Sequence, residues 1–186
     1  MKIDDYPFEY IYYLAEYYGS RDYFECHEIM EQYWKEDLQS PYAQCWLVLI
    51  RIPVALYHAR RGNWAGAVKL MRKAAEEADP ALFSELGLDG CKLVQQLSHT
   101  ATEWQSPDRV YTDIELPITD EQLLQAARQR CRELGYTWGT PGMNVDENII
   151  HRHTTRDRTD VIVARAESAK HKALSRGGIP DTQSRQ

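Results

Sequence analysis

The residues best suited to chemistry sit close together. His27, Glu28 and Glu31 lie within the run Y-F-E-C-H-E-I-M-E-Q-Y-W, Tyr23 to Trp34. On a helix, side chains three and four apart share a face, so these three make one polar edge. Tyr23, Met30 and Trp34 recur at the same spacing beside it, and Phe24 widens the apolar ridge. An imidazole among carboxylates and large rings can transfer protons, hold a cation or bind a neighbouring helix. His27 and Glu31 have the i, i+4 spacing of the zinc motif H-E-x-x-H, with glutamate for the second histidine. Glu28 then takes the place of the general base. A third ligand must come from elsewhere, and His58 is the candidate. The same residues serve equally well as a hydrogen-bonded seam between two helices.

Other chemistry is not marked. There is no G-x-S-x-G, P-loop or dinucleotide fingerprint, so no nucleophile is signalled and no cofactor is expected. Cys26 points about 100° away from His27 on a helix. Di-iron bundles need Glu-x-x-His on two helices, and only one acidic helix is present, in the wrong order. Arg51 interrupts the apolar run W-L-V-L-I-R-I, and a buried arginine needs a carboxylate. It is predicted to pair with Glu28 or Glu31 across the seam between the second and third helices.

The bulk composition bounds the answer. The chain has 186 residues, 43% of them hydrophobic, which is a globular composition long enough for one domain with a full core. Twelve tyrosines bring hydroxyls into that core, and each needs a partner. Cys26, Cys45, Cys91 and Cys131 are widely spaced, without a C-x-x-C pair, and read as buried free thiols in a reducing compartment. With no secretory leader and no apolar window of membrane-spanning length, a cytoplasmic protein without a membrane contact is expected. The charge is blocked. Residues 1–40 carry ten acids and three bases, a net of −7, and residues 41–75 carry six bases and no acid. Residues 76–147 return to −9 and residues 148–186 to +4, for −6 overall. Alternating blocks that nearly cancel predict pairing within the fold, which disfavours nucleic acid as a partner.

The elements that position the cluster read as helices. The first spans Asp4–Tyr18, with tyrosines at helical spacing and Gly19 as its stop. The second carries the cluster and ends near Asp37. The third starts at Ser40 as cap and Pro41 at its first position, runs to Gly62, and is apolar nearly all round, so it should be central and kinked at Pro53. Asn63 caps the fourth, Trp64–Ala78, whose Gly66 and Ala67 would admit a close neighbouring helix. The third and fourth make a hairpin like that of a tetratricopeptide repeat, with no second copy at a fixed period. A fifth helix covers Asp89–Glu103. Residues 106–117 form an extended strap, and Thr119 caps a sixth helix with Gln122 as a possible capping box. After Thr137 come a linker and a helical arm to about Arg176, whose run H-R-H-T-T-R-D-R, His151–Arg158, reads as an anion-binding patch or a docked arm. Residues 177–186 should be disordered.

Taken together, the aromatic pair Tyr23–Phe24, then H-E-x-x-E-x-x-W at His27–Trp34, then His58, Gly62, Asn63, Gly66 and Ala67, resemble the small helical family called domain of unknown function 309. The likeness covers residues 15–78. It implies an all-α fold and no particular reaction. The expectation is therefore a compact bundle of about six helices over residues 1–136, plus a C-terminal helical arm over 137–176. A binding face would draw on Tyr23, Phe24, Trp34, Arg51, Tyr57 and Asn63. Two uses compete. One is a module that binds a protein partner or its own copy as a homo-oligomer, with a His–Glu–Arg cluster, closed and fully hydrogen-bonded, fixing its helices. The other is a hydrolase-like, small-ligand or metal-binding protein with an open pocket at His27, Glu28, Glu31 and His58. Whether the chain is an enzyme is left open.

Overall fold

The computed structural model describes residues 6–152. Within them the protein is all-helical: α1 Phe8–Tyr18, α2 Tyr23–Glu36, α3 Ala43–Arg60, α4 Trp64–Glu77, α5 Pro80–Glu85, α6 Gly90–Glu103, α7 Glu121–Glu133 and α8 Glu147–Ile150. The arm expected to reach Arg176, most of the His151–Arg158 run and the tail at 177–186 lie outside the described residues.

Most of these helices start on an aspartate or asparagine whose side chain accepts a backbone N–H, because the first turn has donors with no helical partner. Asp22 caps α2 at Glu25, Asn63 caps α4, Asp79 caps α5, Asp89 caps α6 at Lys92, Asp120 caps α7 at Leu123 and Asp146 caps α8 at Asn148. The cap of α7 is therefore Asp120 and not Thr119. At α3, Ser40 closes a turn onto Tyr42 and Ala43, and the helix begins two residues later than Pro41 predicts. Gly19 ends α1 with φ −92°, so it is not there for a left-handed turn. A Cβ at Gly19 would lie 2.8 Å from both Cys131 Sγ and Tyr136 Cβ. Glycine thus lets α1 approach the end of α7. Gly66 has a different job from the one its size predicts: its added Cβ would meet the Asn63 cap, not another helix.

α3 is central, as its apolar sequence predicts. It packs on α2 and α4, while α4 reaches α6, and α1 bridges α2 and α7. Val48, Leu49, Ile52, Ala55 and Leu56 are completely buried, each large one worth roughly 1.5–3 kcal/mol of transfer. The helix runs through Pro53 without interruption. Three of the free thiols are buried, but Cys91 is exposed.

The strap expected over residues 106–117 begins with a turn at 106–108 and then runs outside any helix over 109–118, unpaired except for one bridge, Leu88 to Ile118. It supplies what the core tyrosines lack. Tyr17 donates to Ile114 O at 2.8 Å and Tyr18 to Leu116 O at 2.8 Å, while Tyr10 donates to Leu86 O at 3.2 Å. Residues 138–140 then fold back on the end of α1. Trp138 stacks on Tyr18 at 4.3 Å, and Gly139 N donates to Tyr18 O. Among the described residues no helix is long and apolar enough to cross a membrane.

Candidate functional site

α2 carries the polar edge on a half-buried surface. His27 Nδ1 lies 3.5 Å from Glu28 Oε1, and each side chain keeps 26% exposure. Glu31 turns to Lys35, 3.1 Å away along the same helix. A row of rings crosses from α2 to α3. Phe24 lies 6.1 Å from the His27 ring and 6.1 Å from Tyr57, and Tyr57 lies 6.4 Å from His58. Arg61 covers Tyr57, its guanidinium 5.3 Å from the ring centre. Phe24, His27, Glu28, Tyr57 and His58 are thus brought into one ladder, while Trp34 packs half-buried against the core. The cluster is not the closed seam that one expectation required, since His27 and Glu28 both reach solvent. Among the described residues no three His, Cys, Asp or Glu side chains are gathered closely enough to hold one ion, so His27, Glu31 and His58 do not form a ligand set.

Arg51 does not join this cluster. Its guanidinium pairs with Glu77 on α4, where Gln44 also donates to Glu77 at 2.6 Å and Lys73 lies 3.7 Å away. The reason is helical phase. Tyr57 faces α2, and six residues earlier the side chain points about 120° around the helix, toward α4. The carboxylate that a buried arginine demands is present, but it comes from the next helix.

His58 and Asn63 form a unit of their own. Asn63 Oδ1 accepts Gly66 N at 3.2 Å, which turns the amide nitrogen toward His58 Nδ1, 3.0 Å away. With that nitrogen donating, His58 carries its proton on Nε2. Burial and the neighbouring Arg61 both lower its pKa, which keeps the ring neutral. Gly62 takes φ 76°, the left-handed turn that brings Asn63 back over the end of α3. The H…G-N pattern is therefore, in part, the chemistry of a helix–turn–helix joint.

Tyr23, the first residue of α2, belongs to a buried polar network that sequence reasoning missed. Arg60 lies over its ring at 4.3 Å and donates to Arg21 O at 3.0 Å. Arg21 has φ 54° and is 1% exposed. Its guanidinium donates to Thr140 O at 2.7 Å and Glu115 at 2.8 Å, and lies against the Tyr17 and Tyr18 rings. Tyr111 donates to Asp113 Oδ1 at 2.7 Å, Tyr23 reaches the same oxygen at 3.3 Å, and Gly142 N donates to Asp113 Oδ2 at 2.7 Å. Burial pushes the Tyr111 hydroxyl up to about 12, so it remains a donor. The network fastens the strap and residues 140–142 to the α1–α2 joint. Nothing in G-S-R-D marks Arg21 as interior; its acceptors are more than 90 residues away.

Beside it, Glu16, Asp22 and Glu25 are all buried. Ser20 hydrogen-bonds to the Glu16 carboxylate, and Arg152 Nε lies 3.1 Å from Asp22 Oδ2. Burial raises Glu16 to about 7, with Asp22 and Glu25 adding to the shift and Ser20 and Arg152 opposing it.

With this geometry in place, comparison with known proteins becomes informative. The model of the family described as Domain of unknown function (DUF309) matches residues 10–70. An uncharacterised protein, YpuF, of Bacillus subtilis strain 168 is 43% identical over 173 residues, covering 92% of this chain and 99% of the relative. The chain belongs to the DUF309 family. The matched segment runs from α1 into α4 and holds the ring ladder, Arg21, Arg60 and the His58–Asn63 joint. Asp113, Glu115 and Thr140, which fasten the strap, lie beyond it in this DUF309 protein. No solved structure matches the chain.

Proposed function

We propose that this DUF309 protein is a helical protein-docking module whose contact face is the ring ladder of α2 and α3. One observation carries the reading: Phe24, His27, Tyr57 and His58 form a continuous row of rings that bridges two helices, with Tyr57 buried as its base and Phe24, His27 and His58 partly open to solvent. Rings with a polar edge, flanked by Glu28 and Arg61, make the kind of surface on which interface energy concentrates. Arg51 and Glu77 brace α3 against α4 behind it. The His58–Asn63 joint sets the hairpin angle, so the face is presented on rigid helices.

A photo-crosslinking residue at position 28, in cells that make the protein, tests this. The expected result is a covalent adduct with a defined protein, or with a second copy of the chain, and no such adduct from a probe at exposed position 125 on α7. Equal yields from the two positions would sink the proposal. So would a stoichiometric metal in the purified protein that is lost in His27→Ala together with a fall in melting temperature on chelation, because that behaviour belongs to a ligand site.

A further inference from the structure

A relay of four side chains joins α1 to the residues that follow α8. Glu16, near the end of α1, is 3% exposed. Its carboxyl contacts the Ser20 hydroxyl, and no ion pair reaches it among the described residues. Ser20 Oγ in turn accepts Asp22 N at 3.0 Å. Asp22 is equally buried, and its Oδ1 caps α2 by accepting Glu25 N at 3.0 Å. Its Oδ2 faces Arg152 Nε at 3.1 Å. Arg152 lies just past α8, a helix of one turn that buries none of its own residues. A single turn is not stable alone, so α8 depends on what holds its ends. The Asp22–Arg152 contact is such a hold, and it begins at a carboxyl cradled by a hydroxyl rather than paired with a cation.

The groups around Glu16 decide what its charge does. α1 presents Tyr12, α2 presents Asp22, Glu25 and Cys26, the end of α7 presents Cys131, and Tyr136 and Arg152 close the far side. Burial pushes both phenols and both thiols up, so they keep their protons near neutrality. Glu16 itself is raised by burial to about 7 and changes charge there. Ionised, it places a second negative charge beside the Asp22 carboxylate and strengthens the attraction on Arg152. The coupling is reciprocal: Arg152 favours the ionised form of Glu16, so the ionised form favours a seated Arg152 by the same factor. We propose that Glu16, Ser20, Asp22 and Arg152 form a proton-operated clasp that seats α8 on the α1–α2 joint, tightening when Glu16 loses its proton and loosening when it gains one. The clasp is independent of the ring ladder. Its sign sets it apart from unfolding of the whole chain. A carboxyl with a raised folded pKa costs global stability as pH rises, whereas the clasp gains hold over the same range.

Hydrogen exchange of the full chain tests it. The Ile149 and Ile150 amides bond to Asp146 O, and the His151 amide to Glu147 O, so their protection factors report whether α8 is formed and seated. In the wild type these factors should rise about fivefold or more as pH passes from about 6 to about 8. Glu16→Gln should hold them at the low-pH level with no step. Arg152→Gln should also remove the step, and it should raise the Glu16 pKa as read by carbon-13 NMR of the carboxyl. A histidine is the residue type that ordinarily titrates in this range, so His151→Gln is the control and should leave the step in place. Circular dichroism melts check that each variant stays folded. Flat protection in the wild type overturns the inference. So does a step that persists in Glu16→Gln, a step that vanishes in His151→Gln, or a Glu16 titration indifferent to Arg152→Gln.

Discussion

Asn63 faces two ways: its oxygen caps α4 at Gly66 N, and its nitrogen meets His58 Nδ1 at 3.0 Å. One side chain thereby starts a helix and fixes the imidazole at the end of the preceding one. Asn63→Asp keeps the cap but turns a carboxylate to His58. The His58 pKa, lowered in the wild type by burial and Arg61, should rise, as read by NMR titration of the imidazole. Asn63→Ala should cost about 1 kcal/mol in denaturant unfolding. An unchanged His58 titration in Asn63→Asp would mean that the two side chains do not touch.

Arg51 gives a direct comparison between helices. A double-mutant cycle of Arg51→Ala with Glu77→Ala should show a coupling of about 1 kcal/mol. The same cycle with Glu28→Ala should show none. Coupling to Glu28 instead would place the side chain against α2.

Glu16 makes stability depend on pH in an unusual direction. Its folded pKa of about 7 lies above the ordinary value of 4.5. Below pH 4.5 the carboxyl is protonated in both states. As pH rises, the unfolded chain releases its proton first, so stability is lost progressively until pH passes about 7. The loss is about 3 kcal/mol, since each tenfold difference in proton affinity between the two states is worth about 1.4 kcal/mol. Glu16→Gln still accepts from Ser20 and removes that slope. Urea unfolding at about pH 5 and about pH 8 should find the variant gaining on the wild type at the higher pH. Parallel profiles would refute the assignment.

Asp113 holds the strap by three donors. Asp113→Ala leaves Gly142 N–H and two tyrosine hydroxyls without their acceptor and should cost about 2–3 kcal/mol. Tyr111→Phe should cost about 1 kcal/mol. Limited proteolysis should cut Asp113→Ala within residues 107–118 well before the wild type. Equal digestion rates would show that the strap is held by its apolar residues alone.

Helices were legible where the sequence carries a local signal. Asn63 before an amphipathic run marked α4 to within a residue, and the all-round apolarity of α3 placed it at the centre. Arg51 was half-legible: burial demanded a carboxylate, but the choice between Glu28 and Glu77 depended on helical phase, which composition does not reveal. The acceptors of Tyr17 and Tyr18 are backbone carbonyls, which every residue possesses, so no pattern pointed to Ile114 or Leu116. Arg21 was invisible for the same reason, since it is buried by segments far along the chain. The grouping of Phe24, His27, Tyr57 and His58 was visible as a list of residues, but not as an open ladder.

The strap has a consequence for how the protein is made. Tyr17, Tyr18 and Arg21 are joined to Ile114, Leu116 and Glu115, residues 97, 98 and 94 positions later. Synthesis proceeds from the N-terminus at about 5–20 residues per second, so these partners emerge roughly 5–20 s after the groups they satisfy. Throughout that interval α1 to α4 can already be assembled by their near-neighbour contacts, while three polar groups at their edge still face water. A nascent chain that assembles α1 to α4 in that interval does so with a wet seam along α1, which the strap and then residues 138–142 cover as they emerge.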